Sequence, residues 1–523
     1  MPSRTVDVSL PAAPPAATGI VVLDGVGLGV ADVVRLADGA ARPVPGTDAM
    51  KRVEEVWDIA RRIAATGRVY GRSTGVGANR NEAVPTEAAA DHGLRLLRSH
   101  AGAIGAELPA RQVRAMLAVR ANQLLAGGAG LRPGVVTALC EALENGAHPV
   151  VNEFGSVGTG DIAALAQVGL ALAGEHEWIG AQAGAGAGGS APRGWSVAGA
   201  PEPQALDNND ALALISSNAL TLGQAALALH ELRGLIAATQ VVAALSLLAV
   251  DGSHEAYAAP VHAARPHRGS VEVARRMREL IGSADRPTPP LGRIQDPYGF
   301  RCLPQIHGPA HDAADALEGV LAIEINAAAE NPLISPEDLT AYHHGGFYQA
   351  QLALALDHFR LAVTQVARLS TSRLSTLNEP AFTRLRPFLA DHEPAASGVM
   401  ILEYAAAAAL GDLRAFSAPA SLGHAVLSRG VEEQASFASL AARQTLRACA
   451  AYRLVVGCEL VSAVWALRQR DLRPDPELPA GRALELAESV LDDDSADRPL
   501  TDDVTAAAAM LDRFTDIWRG SGA

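Results

Sequence analysis

The chain has one lysine and four cysteines in 523 residues, and both scarcities exclude classes of chemistry. The lysine, Lys51, lies in the charged start of a predicted helix. A pyridoxal phosphate enzyme needs a lysine for its Schiff base, so we do not expect that chemistry here. The cysteines form no CxxC pair, and most lie in apolar helical segments, which predicts buried free thiols in a reducing cytosol. They are Cys140, Cys302, Cys449 and Cys458.

A surplus of positive charge is also missing, because the formal net charge is −14. This balance argues against nucleic-acid binding and against attachment to an anionic membrane. The first residues contain no apolar signal core. The longest apolar run, residues 236–250, contains Thr239, Gln240 and Ser246 and predicts a core helix rather than a membrane span. We therefore predict a cytoplasmic protein.

Metal-binding spacing is absent as well. Two short clusters contain histidine, His343-His344 and Glu175-His176-Glu177, and both lie in polar loops. Neither has the regular ligand spacing of a metal site. We predict solvated loop residues and no metal.

Helical periodicity dominates from Met50 onward, and it predicts a mainly α protein with a central bundle of long helices behind a mixed N-terminal region. We expect a flexible tail at 1–18, an N-terminal domain at 19–205, the bundle at 206–470 and a helical cap at 471–523. A glycine-rich surface loop is predicted at 180–194. The predicted helices include 113–125, 133–143, 162–172, 211–249, 310–329, 349–377, 398–416, 432–469 and 504–518.

Residues 20–25 predict a short strand that enters an Asp-Gly turn. The glycines that follow, Gly25, Gly27 and Gly29, do not have the spacing of a dinucleotide-binding loop. We therefore predict a hairpin that leads into a helix near Val33.

Several motifs occur in one order along most of the chain, from about residue 21 to 469. Together they resemble the histidine and aromatic amino acid ammonia-lyase family, with histidine ammonia-lyases most similar. The motifs are Tyr70-Gly71-Arg72-Ser73-Thr74-Gly75-Val76-Gly77, Ser99-His100-Ala101, Gly155-Ser156-Val157-Gly158-Thr159-Gly160-Asp161, Gln295-Asp296-Pro297-Tyr298-Gly299-Phe300-Arg301, Glu330-Asn331-Pro332-Leu333, Gly345-Gly346-Phe347 and Glu432-Glu433-Gln434.

This resemblance implies a fold and an oligomer. The family has the fumarase/aspartase-like helical bundle, and its sites combine residues from three subunits of a homotetramer. It also implies a cofactor made from the chain itself. In the family an Ala-Ser-Gly tripeptide cyclises and dehydrates to a methylidene-imidazolone, called MIO.

The MIO tripeptide is altered here. It falls on Gly158-Thr159-Gly160, the segment is one residue shorter, and threonine stands where the serine is expected. Thr159 can in principle dehydrate to an ethylidene, which is more hindered and less electrophilic. The alternative is that Thr159 is an ordinary turn residue ahead of the helix near Asp161. In the family an asparagine contacts MIO, and Ser216 stands at that position here. The serine side chain is shorter but keeps a hydroxyl donor.

The resemblance assigns Tyr70 as the catalytic base that removes the β-proton. Nearby glycines would let its loop approach a ligand closely. The alternative is a tyrosine packed in a turn.

Arg301 is the predicted clamp for the substrate carboxylate, because a guanidinium donates two parallel hydrogen bonds to a carboxylate. Asp296 and Pro297 predict the cap and first residue of a helix, which would place Tyr298 and Arg301 on one turn with Gln295 just ahead. Tyr298 is assigned to catalysis and Gln295 to substrate binding. A surface ion pair is the alternative for Arg301.

His100 and Glu432 bear on the substrate, because histidine lyases of the family carry such a pair. A histidine beside a carboxylate suits an imidazole, whose two nitrogens need partners. Phe347 can pack on the substrate ring. For His100 and Phe347 an ordinary core position is the alternative.

Three functions remain open at this stage. The first is an ammonia-lyase or aminomutase that acts on histidine or a related aromatic amino acid and uses an electrophile made from Thr159. The second is an enzyme of the same fold that lacks MIO and acts on an activated substrate. The third is a non-catalytic relative that binds an amino acid or pairs with an active homologue.

Overall fold

The computed structural model describes residues 19–181, 191–288 and 293–520. The predicted tail at 1–18 and the middle of the predicted glycine-rich loop lie outside the described residues. The end of that loop is not irregular, because Arg193–Gly194 pairs antiparallel with Trp178–Ile179.

Helices make up most of the described chain, which confirms the predicted mainly α fold class. In chain order they are α1 Val30–Ala37, α2 Thr47–Thr66, α3 Ala89–His100, α4 Ala110–Leu125, α5 Pro133–Asn145, α6 Ile162–Leu172, α7 Asn208–Ile215, α8 Ala219–Ala249, α9 Ala259–Ala263, α10 Arg268–Ile281, α11 Tyr298–Arg301, α12 Leu303–Glu324, α13 Ala350–Leu377, α14 Pro380–Thr383, α15 Ile401–Phe416, α16 Ala438–Gln469, α17 Pro479–Glu488 and α18 Thr501–Arg519. The strands are β1 Gly19–Leu23, β2 Ala41–Pro45, β3 Ile104–Glu107, β4 His148–Pro149, β5 Asn152–Phe154, β6 Trp178–Ile179, β7 Arg193–Gly194, β8 Leu333–Ser335 and β9 Thr340–Tyr342.

The predicted N-terminal hairpin is wrong. β1 pairs with β2 in parallel, with Gly19 opposite Ala41 and Leu23 opposite Pro45. The eight residues of α1 lie between the two strands and return the chain to the same end of the pair. A tight turn can join only antiparallel strands, so the helix makes the parallel pairing possible.

The predicted helix at 211–249 is broken after Ile215. Ser216, Ser217 and Asn218 separate α7 from α8. The buried guanidinium of Arg120 donates hydrogen bonds to the carbonyl oxygens of Ala213 and Leu214, in the last turn of α7. These carbonyls lack partners within their helix, and a cation at this end also meets the negative pole of the helix dipole. Arg120 therefore stabilises the end of α7.

The start of α16 also differs from the prediction, because residues 432–437 are not helical. Phe437 has φ +54°, a left-handed conformation that a continuing α-helix does not contain. Its backbone N–H donates to the carbonyl oxygen of Val157 at 2.8 Å. This contact holds the segment before α16 against the loop that contains Thr159.

Asp161 fixes the starts of two helices together. It precedes α6, and its carboxylate accepts hydrogen bonds from the backbone N–H of Thr221 at 2.7 Å and from its hydroxyl at 2.9 Å. Thr221 lies in the first turn of α8. The N-terminal N–H groups of a helix need acceptors, so this carboxylate supplies one that helix α8 does not contain.

The chain divides into two compact units, each held together by its own packing. The first comprises the described residues up to Leu227, with Glu318–Leu354 and Ala420–Arg443. The second comprises Ala228–Leu317, Ala355–Pro419 and the described residues from Gln444 onward. Both units are built from separated stretches of sequence. The contiguous domain boundaries expected from the sequence stay a prediction.

The second unit contains a fully buried ion pair. Arg373 and Glu459 have side chains with 0% exposure, and their closest atoms are 2.6 Å apart. Ser246 and Ser370 donate further hydrogen bonds to the same carboxylate, at 2.7 and 2.5 Å. The acceptor capacity of Glu459 is thus filled, which a buried charge requires.

Two stretches are long and apolar enough to cross a membrane by length and composition alone, Asn208–Ala249 and Ala438–Gln469. In each, 83% of the most apolar window is buried inside the structure. Such burial is typical of a core helix, as predicted for residues 236–250.

Candidate functional site

The first unit contains a cavity of about 590 Å³ that brings together six of the residues predicted for the site. They are Tyr70, Thr159, Gly160, Ser216, Phe347 and Glu432. These residues come from separate segments of the sequence. The predicted base, the altered tripeptide and the predicted acidic residue therefore share one space.

Tyr70 is held in this cavity by its own loop. Its phenol oxygen accepts a hydrogen bond from the Gly77 backbone N–H at 2.8 Å. Gly77 has φ +56°, and a side chain there would meet the Ser428 hydroxyl at 2.6 Å, so this position requires glycine for both conformation and space. The ring of Tyr70 meets the ring of His343 edge to face, with centroids 6.4 Å apart.

The pKa of Tyr70 is raised above its usual value of 10.0, chiefly by burial. The negative charge of Glu432 raises it further, whereas the Gly77 hydrogen bond and the positive charge of Arg80 lower it. A phenolate with a raised pKa is a strong base but is sparsely populated at neutral pH.

The loop around Thr159 is held by hydrogen bonds to both backbone groups that a ring closure would use. The carbonyl oxygen of Gly158 accepts from the Ser436 hydroxyl at 2.6 Å. The N–H of Gly160 donates to the side-chain oxygen of Asn218 at 3.0 Å. Gly158 and Gly160 have φ +86° and +120°, so the loop needs glycine on both sides of Thr159.

Ser156 links the two ends of this loop. Its hydroxyl accepts from the Gly158 N–H at 3.1 Å and donates to the Gly160 carbonyl oxygen at 3.0 Å. The loop is therefore a compact turn although it is one residue shorter than the resemblance leads us to expect.

The break between α7 and α8 supplies polar groups to the site. The Ser216 hydroxyl accepts from the Asn331 N–H at 2.9 Å, and both residues line the cavity. The Asn218 amide donates to the Phe347 carbonyl oxygen at 2.8 Å. Asn218 thus connects the Thr159 loop to the segment that carries Phe347.

The two adjacent histidines have different roles. His344 accepts from the Gly346 N–H through Nδ1 at 2.9 Å, so its other nitrogen carries the proton and donates to the Glu330 carbonyl at 2.7 Å. His344 is held by these backbone contacts. His343 is exposed and faces Tyr70. Sequence reasoning assigned neither of them to the cavity that both line.

Arg301, Gln295 and Asp296 line a different cavity of about 540 Å³ in the second unit. The guanidinium of Arg301 lies over the Tyr298 ring, 4.4 Å from its centroid, and donates to the Asp296 carbonyl oxygen at 3.0 Å. Tyr298 is 65% exposed. Within one chain, these residues do not line the Tyr70 cavity.

The predicted turn that carries Tyr298 and Arg301 is confirmed as α11, but its predicted cap is wrong. Pro297 stands at the cap position, and Asp296 lies one residue before it. The Asp296 carboxylate is occupied instead by the Arg293 guanidinium at 2.9 Å and by the Ser253 N–H at 2.5 Å. These contacts outside the helix displace the expected capping bond.

His100 is the last residue of α3 and does not line the Tyr70 cavity. Its Nδ1 lies 2.9 Å from both the Ser99 hydroxyl and the Leu96 carbonyl oxygen. Its role in substrate binding stays a prediction.

Sequence reasoning missed the parts that Asn218 and Ser436 play. Both polar residues stand where apolar helices were predicted to run, at 211–249 and 432–469. The polar interruption at 216–218 was a signal for the break before α8. No local pattern marks Ser436, because it follows Glu432, Glu433 and Gln434.

Known proteins are similar to this chain over most of its length. The model of a family described as aromatic amino acid lyase matches residues 28–489. Histidine ammonia-lyase from Anaeromyxobacter dehalogenans (strain 2CP-C) is 34% identical over 504 residues, covering 94% of this chain and 98% of that protein.

Solved structures are similar over nearly the whole chain. The ergothioneine-degrading enzyme ergothionase from Treponema denticola, in complex with desmethyl-ergothioneine sulfonic acid, has a TM-score of 0.86 and 27% identity, covering 95% of this chain and 99% of that one. Tyrosine aminomutase from Streptomyces globisporus has a TM-score of 0.86 and 25% identity, covering 96% and 99%.

Proposed function

Because the chain belongs to the aromatic amino acid lyase family, we propose that it is a carbon–nitrogen lyase acting on histidine or a related aromatic L-amino acid, as an ammonia-lyase or an aminomutase. The observation that carries this proposal is the cavity shared by Tyr70, Thr159 and Glu432. A base, a segment related to an electrophile and an acidic group within one space are what elimination of an amine requires.

The proton transfer falls to Tyr70. Its phenolate takes the β-proton, the C–H electrons form the new double bond between the α- and β-carbons, and the C–N bond breaks with its electron pair leaving on ammonia. The Gly77 N–H donates to the phenol oxygen and stabilises the phenolate. An aminomutase would return the amine to the β-carbon.

Gly158, Thr159 and Gly160 would hold an MIO-like group. The residues present fit its formation, because Ser436 polarises the carbonyl to be attacked and Asn218 accepts from the attacking amide N–H. Such a group supplies an electrophile for the amine or ring of the substrate. Ser216 would donate to it from the cavity wall.

Glu432 and Phe347 are proposed substrate contacts in the same cavity. Glu432 offers a carboxylate for an imidazole N–H or for the ammonium group, and Phe347 offers an apolar surface for the ring. His100 is proposed as a partner for the second imidazole nitrogen.

The positions of the carboxylate-binding residues favour a homotetramer. Arg301, Gln295 and Tyr298 line or flank a cavity that does not contain Tyr70. We infer that another copy of the chain supplies them to the Tyr70 cavity, where Arg301 binds the substrate carboxylate and Tyr298 assists catalysis. We also infer a cytoplasmic enzyme.

A second candidate function is favoured by the altered loop. An ethylidene formed from Thr159 would be more hindered and less electrophilic than MIO, and the similar ergothionase degrades ergothioneine. Ergothioneine is a histidine betaine, whose trimethylated nitrogen leaves as neutral trimethylamine without prior activation. In this version Tyr70 removes the β-proton and no MIO is needed.

The test compares turnover of L-histidine with turnover of N,N,N-trimethyl-L-histidine by wild type and Tyr70→Phe. The unsaturated product is followed by its near-ultraviolet absorbance. We expect Tyr70→Phe to reduce kcat at least about 100-fold for the accepted substrate, the usual scale of a lost general base. Tyr342→Phe, on an exposed tyrosine, is the control and should keep full activity.

The outcomes separate the candidates. Turnover of histidine supports the ammonia-lyase, and turnover of the betaine alone supports the second function. Full activity of Tyr70→Phe would show that Tyr70 is not the base. Binding of either compound without turnover would indicate a non-catalytic relative.

A further inference from the structure

Two arginines that the sequence motifs do not account for, Arg68 and Arg80, line the cavity that contains Tyr70. Arg68 donates to the Asn81 carbonyl oxygen at 2.6 Å, and Arg80 contacts the Gly77 carbonyl oxygen at 3.4 Å. These contacts place both on the loop of Tyr70. Each guanidinium has five N–H donors, so most of their donors remain for a ligand.

Neither arginine forms an ion pair with a carboxylate within the part of the chain that the structure describes. Arg72, a near neighbour, differs from both because it is buried and donates to the carbonyl oxygens of Ala129 and Gly130. Arg68 and Arg80 are exposed, and Glu432 is the acidic residue of the same lining.

The charges of the lining exceed what a simple amino acid can balance. A zwitterion brings one carboxylate and one ammonium, and the ammonium or ring pairs with Glu432. If Arg301 from another copy takes the α-carboxylate, then Arg68 and Arg80 remain without a carboxylate partner among the described residues of this chain. Two guanidinia close to a reaction site are matched by a second anionic group on the ligand.

We propose that Arg68 and Arg80 form an anion subsite and that the substrate is an amino acid with a second anionic group, a sulfonate or carboxylate on its ring side chain. This proposal rests on the proposed reaction in the Tyr70 cavity and specifies its substrate class. Sulfonates and carboxylates both present the paired oxygens that a guanidinium binds bidentately.

The experiment measures equilibrium binding by calorimetry in the full-length Tyr70→Phe protein, in which turnover is blocked. The probes are L-histidine and L-histidine sulfonated at ring carbon C2. We expect the sulfonated compound to bind at least about tenfold more tightly, the scale of one charge-assisted contact. Arg68→Gln and Arg80→Gln should each reduce this preference severalfold, and histidine affinity should stay nearly unchanged.

The controls address charge and folding. Arg95→Gln removes an exposed arginine of α3 that does not line the cavity, and it should leave both affinities unchanged. Arg80→Lys keeps the charge but loses the planar fork, so it should keep part of the preference. Circular dichroism verifies that each variant is folded.

Equal affinity for the two probes, or a preference that survives both glutamine variants, overturns the proposal. The proposed reaction is judged separately from the turnover of wild-type protein. Turnover of histidine with no preference for the sulfonated compound would support the proposed reaction and refute the anion subsite. A preference lost in both variants supports the subsite even where histidine is not turned over.

Discussion

The Ser436 hydroxyl donates a hydrogen bond to the carbonyl oxygen of Gly158, and the two oxygens are 2.6 Å apart. That carbonyl carbon is the one a ring closure at Gly158-Thr159-Gly160 would attack. A donor on its oxygen stabilises the negative charge that develops during attack. The segment before α16 therefore holds a group suited to assist modification of a loop far away in sequence.

This relationship predicts the mass of the loop. We expect the wild-type peptide that spans residues 150–165 to be lighter than its sequence by two waters, measured by peptide mass spectrometry. Ser436→Ala should increase the unmodified fraction because it removes the donor. Ser335→Ala, which removes a hydroxyl from strand β8 of the first unit, serves as control. An unmodified wild-type peptide would exclude the MIO-like group. The second candidate function, elimination without MIO, would then remain.

The raised pKa of Tyr70 predicts how the rate depends on pH. The pKa of Tyr70 is raised above 10.0. At pH values below that pKa, the phenolate fraction grows about tenfold for each pH unit. We therefore expect kcat/KM to rise with a slope near one between about pH 7 and pH 9. The residual rate of Tyr70→Phe should lack this slope. A pH profile that is flat in the wild type across that range would contradict the assignment of Tyr70 as base.

Arg301→Ala should lose the proposed contact with the substrate carboxylate with little loss of stability. The side chain is partly exposed and its hydrogen bond is to a backbone oxygen, so removal should change the free energy of unfolding by about 1 kcal/mol or less. The KM for the amino acid should rise at least about tenfold, the effect of one lost charge-assisted contact. Arg286→Ala, at an exposed position after α10 in the second unit, provides the comparison. An unaltered KM would show that Arg301 does not bind the substrate carboxylate.

Glu459→Gln should be strongly destabilising. The substitution leaves the Arg373 guanidinium buried without its counter-charge, which costs about 3 kcal/mol or more. Thermal and denaturant unfolding would measure the loss. Glu485→Gln, on an exposed position of α17, should stay within about 0.5 kcal/mol of the wild type. Equal stability of both variants would show that the buried charge has another partner.

The sequence was sufficient for features that depend on periodicity. The boundaries of α6, Ile162–Leu172, agree with the prediction because an apolar helix is recognisable from its own residues. The end of α7 and the direction of β2 were missed. Arg120 lies far from α7 in sequence, and a strand's direction depends on its partner, so neither can be seen in a local window.

The residues of the candidate site likewise fall into those that the sequence predicted and those that it did not. Motif order was enough to select Tyr70, Thr159 and Glu432, which the structure brings into one cavity. It could not indicate that Arg301 lines a different cavity of the same chain. The positions of Asn218 and Ser436 depend on hydrogen bonds across the fold, and side-chain geometry of this kind has no counterpart in residue spacing.

The gap between α7 and α8 has a consequence for how such enzymes diversify. Ser216, Ser217 and Asn218 belong to neither helix, so exchanging these side chains leaves the helical backbone hydrogen bonds intact. Two of the three reach the cavity wall, and the third anchors the Thr159 loop. Variation at Ser216 therefore changes the cavity wall directly, whereas a change at Ser217 or Asn218 also removes a buried side-chain hydrogen bond.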